Sequence, residues 1–350
     1  MPTLFDPITI GDLTLKNRVV MAPLTRSRAS AGRVPNALMA KYYEQRASAG
    51  LILSEATAVT PQGVGYADTP GLWSDEQVEG WKQVTAAVHA KGGVIFAQLW
   101  HVGRISDPSF LDGQPPVSAS AIAAKGHVSL LRPERPYPVP RALDTAEIPG
   151  IVAAYQKAAE NAKKAGFDGV EIHGANGYLL DQFLQDKTNQ RNDQYGGSIE
   201  NRARLMLEVT DACIAVWGAN RVGMHLAPRR DSHDMGDSDP AATFGYVARE
   251  LGKRKIAFIA AREALGADSL GPLLKKEFGG VYIANEKMTK VVAQQVLDSG
   301  NADAIAFGKD YIANPDLVQR LQSNAPLNAW RTESFYAGGE EGYTDYPALA

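Results

Sequence analysis

Three side chains that can exchange hydrogen bonds and protons follow one short apolar run. Val170 and Ile172 alternate with polar residues up to His173, and Asn176 and Tyr178 follow in a glycine-rich turn. An imidazole and a carboxamide can donate two hydrogen bonds to one oxygen and so polarise a carbonyl or nitro group. A phenol close by can supply a proton. The alternative is a strand end with a structural histidine and a turn asparagine, and this stretch alone leaves both open.

The elements that must position these groups are short apolar runs that alternate with longer amphipathic stretches. Strands are predicted at 18–22, 51–55, 94–99, 169–173, 221–226, 256–260, 280–283 and 304–307. Helices are predicted between and after them at 38–48, 75–90, 147–165, 199–216, 241–252, 272–278, 289–299 and 314–322. This series of strand–helix units, with near-continuous apolar strands, favours the α/β class and a closed (β/α)8 TIM barrel. The alternative is an open doubly wound sheet, but no GxGxxG motif follows the first strand.

The length of the chain, 350 residues, suffices for one such barrel, which commonly takes about 250 residues. We therefore predict a single domain over residues 1–350. The segment 102–145 is rich in proline and serine and too long for an ordinary strand-to-helix loop. We expect it to be an excursion after the third strand that caps the barrel mouth. Residues 324–350 are an aromatic C-terminal tail that we expect to pack on the surface, with a share in the site wall as the alternative.

Charge and composition argue against several classes of partner. The formal net charge of −3 offers no basic surface for nucleic acid. No apolar run approaches the roughly 20 residues needed to span a bilayer, so we expect no membrane contact. The first residues lack the form of a signal peptide, and the single Cys213 cannot form an internal disulfide. We expect a cytoplasmic protein.

Catalytic groups in a barrel of this kind lie at the carboxyl ends of the strands. Those ends carry compact, neutral or near-neutral hydrogen-bonding groups: Thr25, Gln98, His173 and His225. No matching set of carboxylates accompanies them, so the lining suits a planar polar heterocycle better than a sugar or a divalent metal. His101 joins two of these histidines as a potential metal set, but the first strand lacks the usual HxH pair. We predict no metal.

The last two strands end in groups suited to a phosphate. Asn285 follows the seventh strand, and Gly308 with Lys309 follows the eighth. These strands often build the phosphate site of a barrel from backbone N–H groups and a helix N-terminus. The glycine permits close approach and the lysine supplies charge, although a glycine after a strand is common. A phosphate site is the prediction here.

Several long motifs in order along the chain resemble those of the old yellow enzyme family of flavin-dependent ene reductases. They lie at 17–26, 42–52, 169–180, 189–191, 195–202, 310–317 and 341–347. The resemblance covers essentially the whole chain and is greatest to the bacterial xenobiotic reductase and N-ethylmaleimide reductase branch. It implies one non-covalent FMN at the barrel mouth, with NADPH or NADH as the reductant.

The resemblance also implies an activity. The C=C bond of α,β-unsaturated carbonyl and nitro compounds would be reduced, with hydride passing from the nicotinamide through FMN N5 to the β-carbon and a proton from Tyr178. Nitroaromatics and nitrate esters are further expected substrates. We expect a monomer, with a homodimer as the alternative. Two other functions stay open: a barrel acting on a phosphorylated metabolite without flavin, and a non-catalytic FMN-binding or sensory protein.

Roles for individual residues follow from the same resemblance. The catalytic set is Tyr178 as the acid, with His173 and Asn176 holding the substrate oxygen. The FMN-binding set is Pro23, Leu24, Thr25, Ala56, Gln98, His173, His225, Asn285, Gly308 and Lys309. The substrate-pocket set is Tyr66, Trp100 and Tyr336.

Three positions depart from the family pattern. His225 stands where most of the family has an arginine near flavin N1, and Lys309 stands where an arginine fork holds the phosphate. The segment 284–287 is less glycine-rich than usual, and Glu286 would repel a phosphate. We therefore expect the flavin potential to depend steeply on pH and FMN to bind somewhat loosely.

Overall fold

The computed structural model describes residues 1–229, 232–336 and 338–349. Parallel strands form a closed ring in which each pairs with the next along the chain and the eighth pairs with the first. The eight strands are Val19–Met21, Leu51–Leu53, Ile95–Trp100, Gly169–His173, Val222–Leu226, Phe258–Arg262, Val281–Asn285 and Ala304–Phe307. This ring, with helices between its strands, confirms the predicted (β/α)8 barrel.

Amphipathic helices pack around the barrel. They span Ala37–Glu44, Asp75–Ala90, Ile148–Lys164, Leu179–Leu184, Ile199–Trp217, Pro240–Arg254, Gly271–Phe278, Lys290–Asp298, Lys309–Ala313 and Leu317–Ser323. The helix Asp75–Ala90 has the predicted bounds because Ser74 and Gln77 form a capping box at its start. None of the helices in the described ranges is both long and apolar enough to cross a membrane.

The bottom of the barrel is filled by side chains, so chemistry is confined to its other end. Phe96 and Phe258 meet inside it with ring centroids 5.9 Å apart. Glycine makes room for both rings, because a Cβ on Gly169 would lie 2.4 Å from Phe96 and one on Gly223 would lie 2.2 Å from Phe258. An N-terminal hairpin of two strands, Ile8–Ile10 and Leu13–Leu15, packs against the same interior cluster.

The capping segment, residues 102–145, carries structure of its own at the other end. Its strands Val117–Ser118 and Arg141–Ala142 pair in parallel. Val102, Ile105, Val128 and Tyr137 from this segment form one buried apolar cluster with residues of the barrel mouth. Because those contacts bury apolar side chains, the segment lies against the mouth as a packed layer.

The C-terminal tail is anchored in the core rather than laid on the surface. Tyr343 is fully buried, and its ring stacks on Tyr42 at 4.1 Å between centroids. The Arg26 guanidinium packs over both rings and donates to the carbonyls of Phe335 and Gly342 at 2.9 Å each. The tail is therefore clamped by an arginine that follows the first barrel strand.

Candidate active site

The turn after the fourth strand is held in place by backbone hydrogen bonds to buried groups. Asn176 adopts a left-handed conformation (φ 58°), which asparagine tolerates better than most residues, and Gly177 follows at φ 79°. The Gly177 N–H donates to the buried Asp181 carboxyl group at 2.8 Å. Burial raises the pKa of Asp181 to about 7. The Leu179 N–H donates to the His101 carbonyl at 3.0 Å, which ties the turn to the end of the third strand.

His173, at the end of the fourth strand, is a neutral hydrogen-bond donor. Burial lowers the pKa of its imidazole well below the usual value, and the nearby His225 lowers it further. The Ala175 N–H points at His173 Nδ1 across 3.4 Å, so Nδ1 accepts and the proton lies on Nε2. The Asn176 side-chain oxygen is buried without a partner within the described ranges. An imidazole N–H and an uncommitted carboxamide therefore flank the mouth.

Tyr178 keeps its proton over the physiological pH range. Its ring lies edge-on to the His173 ring at 5.0 Å and to the Trp100 ring at 5.0 Å. Burial raises the pKa of the phenol well above its usual value, and the Tyr66 phenol raises it further. The two hydroxyls lie 2.9 Å apart. A protonated phenol held in a fixed position can act as a general acid.

A fully buried carboxylate joins three strands beneath these groups. Glu171 accepts a hydrogen bond from Gln98 Nε2 at 2.8 Å, and its other oxygen lies 3.3 Å from His225 Nδ1. The amide oxygen of Gln98 then remains an acceptor, and the far nitrogen of His225 remains available at the mouth. Glu171 shares the inward face of its strand with His173, two residues on. That spacing was the available signal, and sequence reasoning did not assign Glu171 a role.

A second charged pair lies near the predicted phosphate end. Arg262 Nε donates to the Glu286 carboxylate at 2.6 Å, so the negative charge of Glu286 is balanced. The positive charge of Arg262 also contributes to the lowered pKa of His173, which places it near the mouth. Glu286 and Lys287 have φ values of 105° and 55°, where a glycine would be unstrained. Lys309 is exposed, and its Nζ lies 5.2 Å from the Trp330 ring centroid.

The structure brings most of the predicted site residues to one end of the barrel. Tyr66, Trp100 and Ala56 form one cluster with Tyr178 packed against it. The His173 and His225 rings lie 5.7 Å apart. Pro23, Leu24 and Thr25 are half-buried after the first strand, Gly308 begins the short helix after the eighth, and Asn285 ends the seventh. Tyr336 is 47% exposed on the tail, and its phenol makes a small contribution to the raised pKa of Tyr178.

This donor set fits a flavin. The pyrimidine edge of an isoalloxazine presents both carbonyl oxygens and an N–H, which match the nitrogen of His225 and the amide oxygen of Gln98. Trp100 Nε1 is buried without a partner among the residues described, so the pocket holds an uncommitted donor as well. The rings of Tyr66, Trp100 and Tyr178 offer planar apolar walls.

Comparisons with known proteins agree with this geometry. Residues 3–328 match the model of the NADH:flavin oxidoreductase / NADH oxidase family. The old yellow enzyme homologue NCR of Zymomonas mobilis superposes with a TM-score of 0.97 at 47% identity, covering 99% of this chain and 100% of that one. Morphinone reductase in complex with tetrahydroNAD superposes with a TM-score of 0.97 at 49% identity, covering 100% and 98%.

Two curated relatives give the same result when their sequences are compared with this chain. A probable flavin mononucleotide-dependent alkene reductase of Leishmania infantum is 45% identical over 358 residues, which is 99% of this chain and 97% of the relative. The 12-oxophytodienoate reductase 1 of Oryza sativa subsp. japonica is 44% identical over 360 residues, or 99% and 93%. The chain therefore belongs to the NADH:flavin oxidoreductase / NADH oxidase family, the old yellow enzyme family of FMN-dependent oxidoreductases, as its sequence motifs predict.

Proposed function

We propose that the protein is an NADPH- or NADH-dependent reductase of the C=C bond in α,β-unsaturated carbonyl and nitro compounds, with nitroaromatics and nitrate esters as further substrates. The observation that carries this proposal is a neutral imidazole donor and a protonated phenol with their rings 5.0 Å apart at one end of the barrel. The names of the relatives, an alkene reductase, a 12-oxophytodienoate reductase and a morphinone reductase, support it.

The chain's own residues would hold FMN from both sides of the mouth. Gln98 and His225, fixed by Glu171, would bind the pyrimidine edge, and Thr25 would bond the ring from the first strand. Pro23, Leu24 and Ala56 would pack nearby. Asn285, Gly308 and Lys309 would hold the phosphate at the far end. FMN, when bound, supplies the hydride that the nicotinamide provides.

The substrate would be oriented by its oxygen. His173 Nε2 and the Asn176 carboxamide would donate to that oxygen and stabilise the negative charge that develops on it as hydride arrives at the β-carbon. Tyr178 would then give its proton to the α-carbon. Tyr66, Trp100 and Tyr336 would shape the pocket around the alkene.

The test separates the two half-reactions. The purified protein is reduced anaerobically with NADPH, then mixed with 2-cyclohexenone, while the visible flavin spectrum is followed. We expect bleaching by NADPH and return of the yellow colour with the enone. In Tyr178→Phe, bleaching keeps its rate because it needs no proton from the phenol, and the return of colour slows by about 100-fold or more.

Two outcomes contradict the proposal. If NADPH bleaches the protein but no enone or nitroalkene restores the colour, the protein is not an ene reductase. If Tyr178→Phe restores colour as fast as the wild type, Tyr178 is not the proton donor.

A further inference from the structure

We propose that Tyr66 passes a proton to Tyr178 during turnover, as the inner member of a hydroxyl relay that reaches solvent through the capping segment. The proposal rests on the role of Tyr178 as the proton donor. It gives Tyr66 a function in the chemical step, beyond its predicted place in the wall of the substrate pocket.

The inner contact is a direct hydrogen bond between two phenols. The Tyr66 and Tyr178 hydroxyl oxygens lie 2.9 Å apart, within the range of a normal O–H···O bond. Tyr66 is held in this position from two sides. Its ring packs on Trp100 at 5.4 Å, and its backbone carbonyl accepts from Arg33 Nη1 at 2.9 Å. Because Tyr66 is only 8% exposed, water has little access to it directly.

The next hydroxyls lie in the capping segment. Burial raises the pKa of Tyr66, and Ser129 of the capping segment lowers it to a smaller extent, which places the Ser129 hydroxyl near the Tyr66 phenol. Ser129 Oγ also lies 3.2 Å from the Tyr137 hydroxyl. Ser129 is half-buried and its neighbour Leu130 is 44% exposed, so this end of the chain of hydroxyls meets solvent. The hydroxyls therefore form two pairs, Tyr66 with Tyr178 at the barrel mouth and Ser129 with Tyr137 in the capping segment.

The site needs such a relay because a phenolate is costly there. Burial raises the pKa of both Tyr178 and Tyr66 above the usual value, so a negative charge left on Tyr178 after proton donation is poorly stabilised. His233, whose ring lies 5.2 Å from that of Tyr178, does not supply the proton. Its Nδ1 lies 2.7 Å from the Asn176 carbonyl, and burial lowers the pKa of its imidazole.

The proton balance closes without any further reactant. As the Tyr178 O–H bond breaks and the bond from hydrogen to the α-carbon forms, the Tyr66 proton moves to the Tyr178 oxygen. A proton from solvent, by way of the capping segment, then restores Tyr66. The nicotinamide is oxidised, the alkene is reduced, and one proton enters from solvent in each turnover.

The test uses the full-length, FMN-loaded enzyme and the variant Tyr66→Phe, which keeps the aromatic ring and removes only the hydroxyl. When the variant has first been reduced by NADPH, we expect 2-cyclohexenone to reoxidise it about 10- to 100-fold more slowly than the wild type. Ser129→Ala should slow reoxidation in the same direction. In mixtures of H2O and D2O, the wild-type reoxidation rate should curve with the deuterium fraction, since several protons move together, and Tyr66→Phe should give a straight line.

A double variant separates the relay from a packing effect. If Tyr66 acts through Tyr178, then Tyr178→Phe combined with Tyr66→Phe is no slower than Tyr178→Phe alone. Wild-type reoxidation in Tyr66→Phe, or losses that multiply in the double variant, would overturn the relay while leaving Tyr178 as the donor. Unchanged reoxidation in Tyr178→Phe would instead overturn the proposed function, and the relay with it.

Discussion

At the scale of single residues, the site differs from the expected family pattern in where its charge comes from. His225 stands where the family resemblance leads us to expect an arginine, and its Nδ1 lies 3.3 Å from Glu171. Arg229 does not supply a positive charge in its place, because it pairs with Glu263 and Asp268. An arginine carries a fixed positive charge, whereas the charge of a histidine can change near neutral pH. An arginine at this position would therefore hold a fixed positive charge at the pyrimidine edge.

The variant His225→Arg tests this consequence. A fixed charge next to the reduced, negatively charged ring should raise the FMN midpoint potential by about 30 mV, which corresponds to about 1.4 kcal/mol for two electrons. The dependence of the potential on pH should also become shallower, because an arginine keeps its charge throughout the titration. Both are measured by anaerobic dye-coupled titration, with His89→Arg, at a surface helix remote from the site, as the matched control. Equal slopes in His225→Arg and the wild type would refute the explanation.

At the scale of elements, the C-terminal tail forms one unit with the segment and helix that follow the first strand. Tyr343 is sandwiched between the Tyr42 ring and the Arg28 guanidinium, which lies 4.4 Å from its centroid. Arg46, packed on the other side of Tyr42 at 3.8 Å, donates to carbonyls of the helix Lys309–Ala313. The tail that carries Tyr336 is thereby connected to the helix that carries Lys309.

Removing the central ring should release the tail. Tyr343→Ala deletes a fully buried aromatic side chain, so the free energy of unfolding in urea should fall by about 3–5 kcal/mol. Trypsin should then cleave after Arg331 faster than in the wild type. Tyr336→Ala, at a tail residue that is 47% exposed, is the control and should change stability by less than about 0.5 kcal/mol. If Tyr343→Ala is as stable and as resistant to trypsin as the wild type, the arginine contacts alone hold the tail in place.

The sequence predicts the bounds of a helix or strand best where residues next to those bounds determine them. The fourth strand and the helix Asp75–Ala90 have their predicted bounds because glycine and a capping box mark them. The sixth strand runs on to Arg262, which pairs with Asn285 of the seventh, because a neighbouring ladder extends a strand beyond its apolar run. The helices Leu179–Leu184 and Lys309–Ala313 are too short to show a helical period.

Site residues, too, are predicted well only where they lie close together in the sequence. The spacing of His173, Asn176 and Tyr178 within one turn is visible in the sequence, and the structure places these residues together. Glu171 is not assigned from sequence because its partners, Gln98 and His225, lie on two other strands. The contact between Tyr66 and Tyr178 joins residues 112 positions apart, and no pattern within either segment indicates it.

At the scale of the whole molecule, a bound FMN would connect opposite parts of the barrel. The residues proposed to hold its ring lie on or just after the first five strands, and those proposed for its phosphate lie at the end of the seventh and after the eighth. A ligand that binds the folded state alone stabilises it in proportion to the logarithm of its concentration over Kd. We propose that residues 1–350 fold as one domain, since the capping segment and the tail both pack on the barrel.

We expect FMN to be held least tightly at its phosphate. The variant Lys309→Arg tests this expectation. A guanidinium can make two parallel hydrogen bonds to a phosphate where the ammonium acts as a point charge, and it can still stack on Trp330. We expect the Kd of FMN, measured by quenching of flavin fluorescence, to fall about tenfold, or about 1.4 kcal/mol. The Tm of the FMN-loaded protein should rise while that of the apoprotein stays constant. Lys276→Arg, on an exposed helix face, is the control. An unchanged Kd in Lys309→Arg would mean that Lys309 does not contact the phosphate.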